Sequence, residues 1–325
     1  MTKKSCVYMA IIVSAVLSVL FFFYLPIEVA GHRPGNFFLL AFYIGFLSIT
    51  TAFVIVFLML VATRRTFIKQ QITTFKRFRH LLLLMVKRDF VTRYRRNMLG
   101  VLWSMLNPLA TMLVMAMVFS LLFQHEIPNF PVYLFSGQLI FNFFSESTTS
   151  AMSSIVGSAG IIKKVYVPKY IFPVSRILSS LINLGFSFAA FLLIFIATGE
   201  SFGWTFLFIP LLLLYVLVFS MGVGMFLSSV SVFFRDINYI YGIGITLLMF
   251  LTPLFYPVSI LPPRVYHLIH LNPLFHFVTY FRELVLYGNV PGLWLNIICI
   301  GFALGALSLG AYTSATKQDK YILYL

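Results

Sequence analysis

Long apolar runs separated by short polar segments are the dominant pattern of this chain. Eight runs occupy residues 6–25, 37–62, 103–123, 132–156, 174–198, 204–230, 239–256 and 293–315. A membrane-spanning helix needs ~20 consecutive apolar residues, and most of these runs reach that length. The pattern predicts an all-α polytopic membrane protein with a two-span N-terminal hairpin, residues 1–70, before a six-span domain, residues 99–325. The first run is longer than the ~7–15 apolar residues of a typical signal peptide, so it is interpreted as a retained span.

A basic segment, residues 71–98, lies between these two parts and has an amphipathic pattern. Apolar residues recur at helical spacing from Phe75 to Phe90, while Lys and Arg residues occupy the other side. Such a helix is too charged to span and is expected to lie in the cytoplasmic interface, with its cations near anionic lipid. Leu81, Leu83 and Leu84 widen the apolar stripe, which leaves open that part of it packs on protein.

Prolines interrupt residues 257–291, a segment that is otherwise rich in Leu, Ile, Phe and Tyr. It is too apolar for a plain aqueous loop and too broken for a single span. Irregular backbone at membrane depth is tolerated only against protein or a water-filled cavity. We therefore expect an outer re-entrant loop, built as two short helices, that lines a pathway.

Composition and charge fix the class and the orientation. Hydrophobic residues make up 61% of the chain and charged residues 10%, whereas soluble domains carry roughly 45–50% and about 25%. All of the 23 Lys and Arg residues except Arg33, Arg264 and Arg282 fall in segments that are cytoplasmic if both termini are cytoplasmic. The net charge of +15 is therefore attributed to topology and not to nucleic-acid binding. Cys6 and Cys299 lie in apolar runs and predict neither a disulfide framework nor a metal site.

Four motifs in order carry a family resemblance. Residues 93–109, RYRRNMLGVLWSMLNPL, resemble the opening of ABC-2 type permeases, and within them the exporters of O-antigen, capsule and teichoic acid. Residues 163–169, KKVYVPK, resemble the coupling segment of that family, and residues 234–236, FRD, resemble the turn before its fifth core span. Asn272-Pro273-Leu274 with Arg282-Glu283 resembles its outer re-entrant loop. The family's usual plan has six spans, so the N-terminal hairpin is an addition to it.

The resemblance implies the membrane permease subunit of an ATP-driven exporter in the bacterial inner membrane. Its expected cargo is a lipid-linked polysaccharide, with O-antigen preferred, moved from the cytoplasmic to the outer face. The expected partners are a second copy of the chain, as a homodimer, and two ABC ATPase subunits. The sequence has no G-x-x-x-x-G-K-[ST] phosphate-binding loop, so ATP and Mg are expected to be used by the ATPase subunits. We expect no enzymatic activity, catalytic residue, metal or cofactor in this chain itself.

The segment that contacts the ATPase is predicted at residues 157–176. Gly157 and Gly160 interrupt the preceding span, and the prolines set the ends of a short helix. An ordinary basic loop without a partner is the alternative. The predicted coupling residues are Lys163, Lys164, Val165, Tyr166, Pro168, Lys169, Arg235 and Asp236.

The carrier lipid is predicted to meet the chain just before the first core span. Guanidinium groups pair well with phosphate oxygens, which suits a polyprenol pyrophosphate. Positive anchors without a ligand remain an equal alternative. The residues assigned to this substrate entrance are Arg93, Arg95, Arg96, Leu99, Gly100 and Trp103.

Aromatic side chains and one intramembrane carboxylate are candidates for the translocation pathway. Sugar rings pack their C–H faces on aromatic rings, and a carboxylate within a span is a functional candidate by default. The alternative for each ring is lipid contact or core packing, and for Glu146 a structural helix contact. The predicted channel residues are Phe141, Phe143, Phe144, Glu146, Phe250, Phe255 and Tyr256, and the predicted outer gate is Asn272, Pro273, Arg282 and Glu283. Gly301 and Gly305 predict close helix packing on the last span.

Three other functions fit the sequence less well. A membrane enzyme needs a catalytic carboxylate or histidine, but the eight Asp and Glu residues do not cluster. His267, His270 and His276 fall together in the outer loop, where a metal site is the minor alternative. An ABC-2 exporter of a drug or small lipid keeps the same fold and differs only in cargo. The coupling motif argues against a flippase without ATP.

Overall fold

The computed structural model of this chain describes residues 65–94, 98–123, 127, 129–262, 265 and 269–325. Within these residues the regular structure is entirely helical, as predicted. The predicted N-terminal hairpin lies outside the described residues, except for its last six positions, and stays a prediction.

Ten α-helices precede a short C-terminal turn of α-helix in the described part. We number the α-helices α1 Arg65–Tyr94, α2 Met98–Phe123, α3 Phe130–Met152, α4 Ser154–Gly157, α5 Ala159–Ile162, α6 Ile171–Ala197, α7 Ile209–Phe233, α8 Ile237–Leu251, α9 Pro273–Val285, α10 Leu293–Lys317 and α11 Tyr321–Tyr324. Short 3-10 helices occupy Trp204–Phe208, Val258–Ile260 and Gln318–Lys320. Every predicted core span therefore coincides with a helix: α2, α3, α6, α7, α8 and α10.

Three helical stretches are long and apolar enough to cross a membrane: Ile171–Ala197, Trp204–Phe233 and Leu293–Tyr324. Two shorter apolar stretches, Leu109–Phe119 within α2 and Ile237–Leu251, which is α8, fall below that length. The described residues thus support a polytopic membrane protein, whereas the count of six spans stays a prediction.

Helix α3 is the centre of the bundle although it is not among the most apolar helices. It packs against α6 and α7 along its length and also contacts α2 and α9. Most of its residues are buried, including polar Ser136, Ser147 and Thr148, whose hydroxyl groups donate to backbone carbonyls within the helix. A helix enclosed by protein needs packing and satisfied hydrogen bonds rather than a continuous lipid-compatible surface. This explains why its sequence is more polar than that of α6, α7 or α10.

Helices α7 and α10 make the closest helix pair in the bundle. A Cβ atom built on Gly222 would lie 2.1 Å from the backbone carbon of Ala306, and one on Gly310 would lie 2.2 Å from the Gly222 carbonyl oxygen. Small residues let two backbones approach in this way. Close packing was predicted on this span from Gly301 and Gly305, which are both buried. The nearest approach nevertheless occurs further along, at Ala306 and Gly310.

Helix α1 contains the predicted amphipathic segment and docks on the bundle. Its apolar residues Leu82 and Met85 are buried in a cluster with α6 and the end of α7. Leu83 and Leu84, on a neighbouring side, are exposed. The apolar stripe is therefore divided between protein and the surroundings, which was the alternative that the sequence left open.

The predicted outer loop, residues 257–291, contains one well-defined α-helix, α9. Asn272 caps it: the Asn272 side-chain oxygen accepts from the Leu274 backbone N–H at 3.0 Å, and Pro273 occupies the first helical position. Ten of its residues are buried against α3, α7 and α10. The first half of the loop holds the 3-10 turn Val258–Ile260, and residues 263–264 and 266–268 lie outside the described residues.

We predict that Gly222→Ala lowers the stability of the purified protein by about 1–3 kcal/mol, because the added methyl group forces α7 and α10 apart. Gly185→Ala is the matched control, since a Cβ atom there meets nothing within 4 Å. Thermal denaturation in detergent, followed by circular dichroism, measures both variants. Equal melting temperatures for Gly222→Ala and Gly185→Ala would contradict the close contact.

Candidate functional site

A polar cleft opens between α1, α3 and α6. It has a volume of about 750 Å³ and is lined by three arginines and two acidic residues among other polar side chains. We call it the arginine cleft; its charged residues are Arg88, Asp89, Arg93, Glu146 and Arg176. Each of the three helices contributes to it, so the docking of α1 on the bundle creates the site.

Arg93 and Glu146 form an ion pair across the mouth of the arginine cleft. The Arg93 guanidinium lies 3.1 Å from the Glu146 carboxylate, and the Asn183 amide of α6 donates to the same carboxylate oxygen. The side chains of Arg93 and Glu146 are 56% and 38% exposed. Exposed ion pairs contribute only ~0.2–1 kcal/mol, so this pair can open at little cost. The contact joins a residue predicted for the substrate entrance to one predicted for the channel.

Asp89 makes the second charge contact and holds α1 to α6. Its carboxylate accepts from the Arg176 guanidinium at 2.9 Å and lies 3.6 Å from Arg88. The Asp89 side chain is only 13% exposed, so its charge is less screened by solvent than that of Glu146. We infer that the pair of Asp89 and Arg176 fixes the position of α1 on α6. Arg93, in contrast, carries a charge that can change its partner. The sequence patterns did not assign Asp89, Arg176 or Asn183 to the substrate entrance.

The arginine cleft suits an anionic ligand with several oxygen atoms. Its three guanidinium groups outnumber its two carboxylates, and Ser150 adds a hydroxyl group, whereas the Ser153 and Ser179 hydroxyls donate to backbone carbonyls of the protein. Guanidinium groups bind phosphate oxygens in a bidentate manner, with charge-assisted hydrogen bonds about twice as strong as neutral ones. The chemistry therefore favours a phosphate or diphosphate over an uncharged ligand.

The other residues predicted for the substrate entrance lie beside this cleft in sequence. Arg95 and Arg96 fall outside the described residues. Leu99 and Gly100 lie in the first turn of α2, which begins at Met98, and the Trp103 side chain is exposed one turn later. Their roles stay predictions.

A buried arginine organises the opposite end of the bundle. The Arg282 side chain is 5% exposed and has no carboxylate partner among the described residues. Its guanidinium donates to the carbonyl oxygens of Pro253 at 2.9 Å, Tyr133 at 3.2 Å and Leu254 at 3.3 Å. The guanidinium carbon also lies 3.4 Å from the centre of the Tyr133 ring. We call this arrangement the carbonyl hub.

The carbonyl hub ties three elements together. Pro253 and Leu254 follow the end of α8, Tyr133 lies in the first turn of α3, and Arg282 belongs to α9. Asn272 adds a second link, because its amide donates to the Thr252 hydroxyl at 2.7 Å. Of the predicted outer-gate residues, Asn272 and Arg282 are thus both linked to residues 252–254, and Pro273 is the first residue of α9. Glu283, the fourth predicted gate residue, forms no ion pair with Arg282.

The predicted coupling residues lie together at the end of the bundle that carries the C-terminus. Lys163, Lys164, Val165 and Tyr166 are exposed, with Tyr166 at 87%. Lys169 is buried, with its ammonium group 5.5 Å from the centre of the Tyr166 ring. Arg235 and Asp236 are exposed in the turn between α7 and α8.

One hydrophobic cluster joins the predicted coupling segment to the end of α7, next to the turn that carries Arg235 and Asp236. It contains Ile162 and Val167 from the coupling segment, Val232 from α7, and Tyr321 from the C-terminal turn. The Ser231 hydroxyl also donates to the Met152 carbonyl at 2.7 Å, which joins the ends of α7 and α3. The exposed Tyr166, Lys163 and Lys164 side chains are thus held in place by a buried hydrophobic cluster.

The aromatic residues predicted to line a channel divide into two groups. Phe141, Phe143 and Phe144 are buried in the core of the single chain, and Phe144 stacks on Phe219 with ring centres 5.3 Å apart. Phe255 is also buried and stacks on Phe119. These positions give no support to channel lining, because the rings meet other side chains of the same subunit. Phe250 is exposed on α8, and Tyr256 is half-buried.

The described residues do not support a metal site at the histidines of the outer loop. His276 is buried and its ring nitrogen lies 2.7 Å from the His270 carbonyl oxygen, whereas His267 falls outside the described residues. Within the described ranges no three His, Cys, Asp or Glu side chains gather as a metal site would require.

Comparison with known proteins gives a family match over residues 80–286, to the ABC-2 type transporter family. The chain is 29% identical over 246 residues to an O-antigen export system permease protein of Klebsiella pneumoniae, covering 75% of this chain and 95% of that protein. It is 31% identical over 216 residues to an O-antigen export system permease protein of Myxococcus xanthus, covering 66% and 83%. It is 27% identical over 237 residues to a polysialic acid transport protein of Escherichia coli, covering 71% and 91%.

We predict that Arg282→Lys lowers the free energy of unfolding by about 2–3 kcal/mol. A lysine keeps the charge but loses the planar fork that reaches three carbonyls, which leaves buried acceptors unpaired. Arg235→Lys, at an exposed arginine, is the matched control and should leave stability unchanged. Thermal denaturation in detergent measures both, and an Arg282→Lys variant as stable as the control would remove the carbonyl hub as a structural centre.

Proposed function

We propose that this chain, which belongs to the ABC-2 type transporter family, is the membrane permease of an ATP-driven exporter of a lipid-linked polysaccharide. O-antigen is the preferred cargo, because two of the compared relatives are O-antigen export permeases and a third transports polysialic acid. Transport runs from the cytoplasmic to the outer face of the bacterial inner membrane. Both termini are cytoplasmic in this proposal, and α2, α3, α6, α7, α8 and α10 are its six spans.

The arginine cleft is the observation that carries the cargo proposal. A polysaccharide on a polyprenol carrier has a diphosphate at its lipid end, and this cleft offers guanidinium groups beside an interfacial helix. Arg93 is held by Glu146 when the cleft is empty and is exposed enough to exchange that carboxylate for a phosphate oxygen. The exchange gives Arg93 a new anionic partner, while the Glu146 carboxylate keeps the hydrogen bond that it accepts from the Asn183 amide.

Energy comes from a partner in this proposal. Two ABC ATPase subunits use ATP and Mg, and each docks on a coupling segment with Tyr166 and the two exposed lysines at its tip. The chain contributes no catalytic residue to hydrolysis. The turn at Arg235 and Asp236 forms the second part of the docking surface.

A second copy of the chain completes the pathway. Helix α8 has no buried residue in the single chain, and Tyr239, Ile243, Leu247 and Phe250 are exposed along it. A homodimer in which this face borders the pathway would place the exposed Phe250 ring where sugar rings pass. The N-terminal hairpin, residues 1–70, is proposed to anchor α1 at the membrane.

Deletion of the gene tests the proposed function. We expect the cell surface to lose its glycan while lipid-linked polymer accumulates on the cytoplasmic side, because the finished polymer then has no exit. The measurement is surface labelling of intact cells together with extraction of lipid-linked glycan. Normal surface glycan after deletion would contradict polysaccharide export and favour the alternative, export of a drug or small lipid.

Complementation of the deletion strain tests the arginine cleft in the same assay. Arg93→Gln should restore less surface glycan than the unchanged gene, since the exchangeable cation is lost. Arg77→Gln, at an exposed arginine on the same helix but outside the cleft lining, is the matched control and should restore it fully.

The double variant Lys163→Glu plus Lys164→Glu should reduce co-purification of the ATPase subunit, because reversed charge on the coupling segment repels an acidic docking groove. Lys76→Glu plus Arg77→Glu makes the same charge change on α1 and should leave the complex intact. Affinity purification from membranes, with the amount of bound ATPase compared, measures the effect. An undiminished complex in the first variant would rule out the coupling role of these lysines.

A further inference from the structure

A second cleft lies at the opposite end of the bundle from the coupling segment. It has a volume of about 790 Å³ and is bordered by the start of α3, the end of α9 and the turn that follows α9. We call it the outer cleft. The carbonyl hub forms its inner wall, since Tyr133 and Arg282 both line it.

The turn after α9 brings three different chemical groups to the rim of the outer cleft. Gly288 has a φ of +61°, in the left-handed region that glycine adopts readily. This reverses the chain so that the Asn289 backbone N–H donates to the Glu283 carbonyl at 3.0 Å. Tyr287, Asn289 and Glu283 consequently line the same cleft. The Tyr287 side chain is 55% exposed, so its ring is available to a ligand.

The polar groups of this rim are not used by the protein. Across the described ranges, no hydrogen bond or ion pair engages the side chains of Ser259, Thr279, Glu283 or Asn289. The polar groups of the wall behind them are already engaged, because Arg282 and the Tyr133 hydroxyl donate to backbone carbonyls. A rigid wall with unused polar groups in front of it is typical of a preformed ligand site.

The available charge in the outer cleft argues against a phosphate ligand. Arg282 and Glu283 are the only charged residues among the described ones that line it, and Arg282 is directed onto carbonyl oxygens. Of these two, the one charged group that is not engaged in hydrogen bonds is the Glu283 carboxylate, which does not bind anions and is too little for a metal site. A carboxylate, an amide and two hydroxyls beside an aromatic ring instead match a ligand rich in hydroxyl groups.

We propose that the outer cleft is a carbohydrate-binding subsite that holds an uncharged stretch of the sugar chain as it leaves the permease. The Tyr287 ring packs on the C–H face of a sugar, while Glu283 and Asn289 bind its hydroxyl groups. The proposal rests on polysaccharide export as the function of the chain. It assigns the phosphate end of the cargo to the arginine cleft and its sugars to the outer cleft.

The test is saturation-transfer NMR on the full-length permease in nanodiscs. The probe is a lipid-free oligosaccharide, without phosphate, released by mild acid from the surface glycan of the source strain. We expect saturation transfer to the sugar ring protons, and binding about tenfold weaker for Tyr287→Ala. Tyr287→Phe keeps the ring and should retain most of the affinity, whereas Glu283→Gln should weaken binding.

Tyr312→Ala is the matched control, because Tyr312 is 58% exposed on α10 and does not line the outer cleft. Absence of saturation transfer to the oligosaccharide, or equal affinity for Tyr287→Ala and Tyr312→Ala, would overturn the subsite. Surface glycan lost on gene deletion but no effect of Tyr287→Ala on binding would overturn this proposal alone. Surface glycan unaffected by gene deletion would instead overturn the export function on which the subsite rests.

Discussion

A buried guanidinium without a carboxylate partner is the constraint on which the outer half of this structure depends. Arginine stays protonated at any pH that the cell experiences, so the Arg282 charge must be compensated where it lies. Three carbonyl oxygens and the Tyr133 ring provide that compensation. Two of the carbonyls are available because α8 ends at Leu251, before Pro253 and Leu254. The break in α8, the docking of α9 and the first turn of α3 are therefore parts of a single arrangement.

The two clefts at opposite ends of the bundle differ in the charge that they leave available. In the arginine cleft Arg93 is exposed and held only by a solvent-screened partner, so positive charge is free to meet a ligand. In the outer cleft Arg282 donates its hydrogen bonds to backbone carbonyls, and the Glu283 carboxylate is the charged group that remains available to a ligand. A lipid-linked polysaccharide is a matching amphiphile, with a diphosphate at one end and hydroxyl-rich sugars along its length. The proposed export function accounts for both clefts with one cargo.

The helices were predictable from the sequence because apolar runs mark them, most clearly in Ile171–Ala197, Trp204–Phe233 and Leu293–Tyr324. The family was predictable because four short motifs occur in order, and the match over residues 80–286 confirms it. Local patterns carry this information, since hydropathy and motif spacing are properties of neighbouring residues. Gly301 and Gly305 predicted close packing of the last span and are both buried, but the point at which α7 and α10 approach most closely, at Gly222 and Ala306, was not predicted. Sequence spacing shows that small residues share a face but not where the partner helix crosses.

Long-range partners were the part that sequence could not supply. Arg93 and Glu146 were both selected, but their pairing across 53 positions depends on how α1 docks. Asp89 was missed because one acidic residue in a basic helix has no local signal. The burial of Phe141, Phe143 and Phe144 in the single chain was likewise not predictable, because it depends on which side of α3 the other helices cover.

The decisive measurement is reconstitution of the permease with its ATPase in proteoliposomes that contain lipid-linked glycan. The account predicts ATP-dependent movement of the glycan to the opposite leaflet, which vanadate inhibition of the ATPase abolishes; equal movement with and without ATP would contradict it.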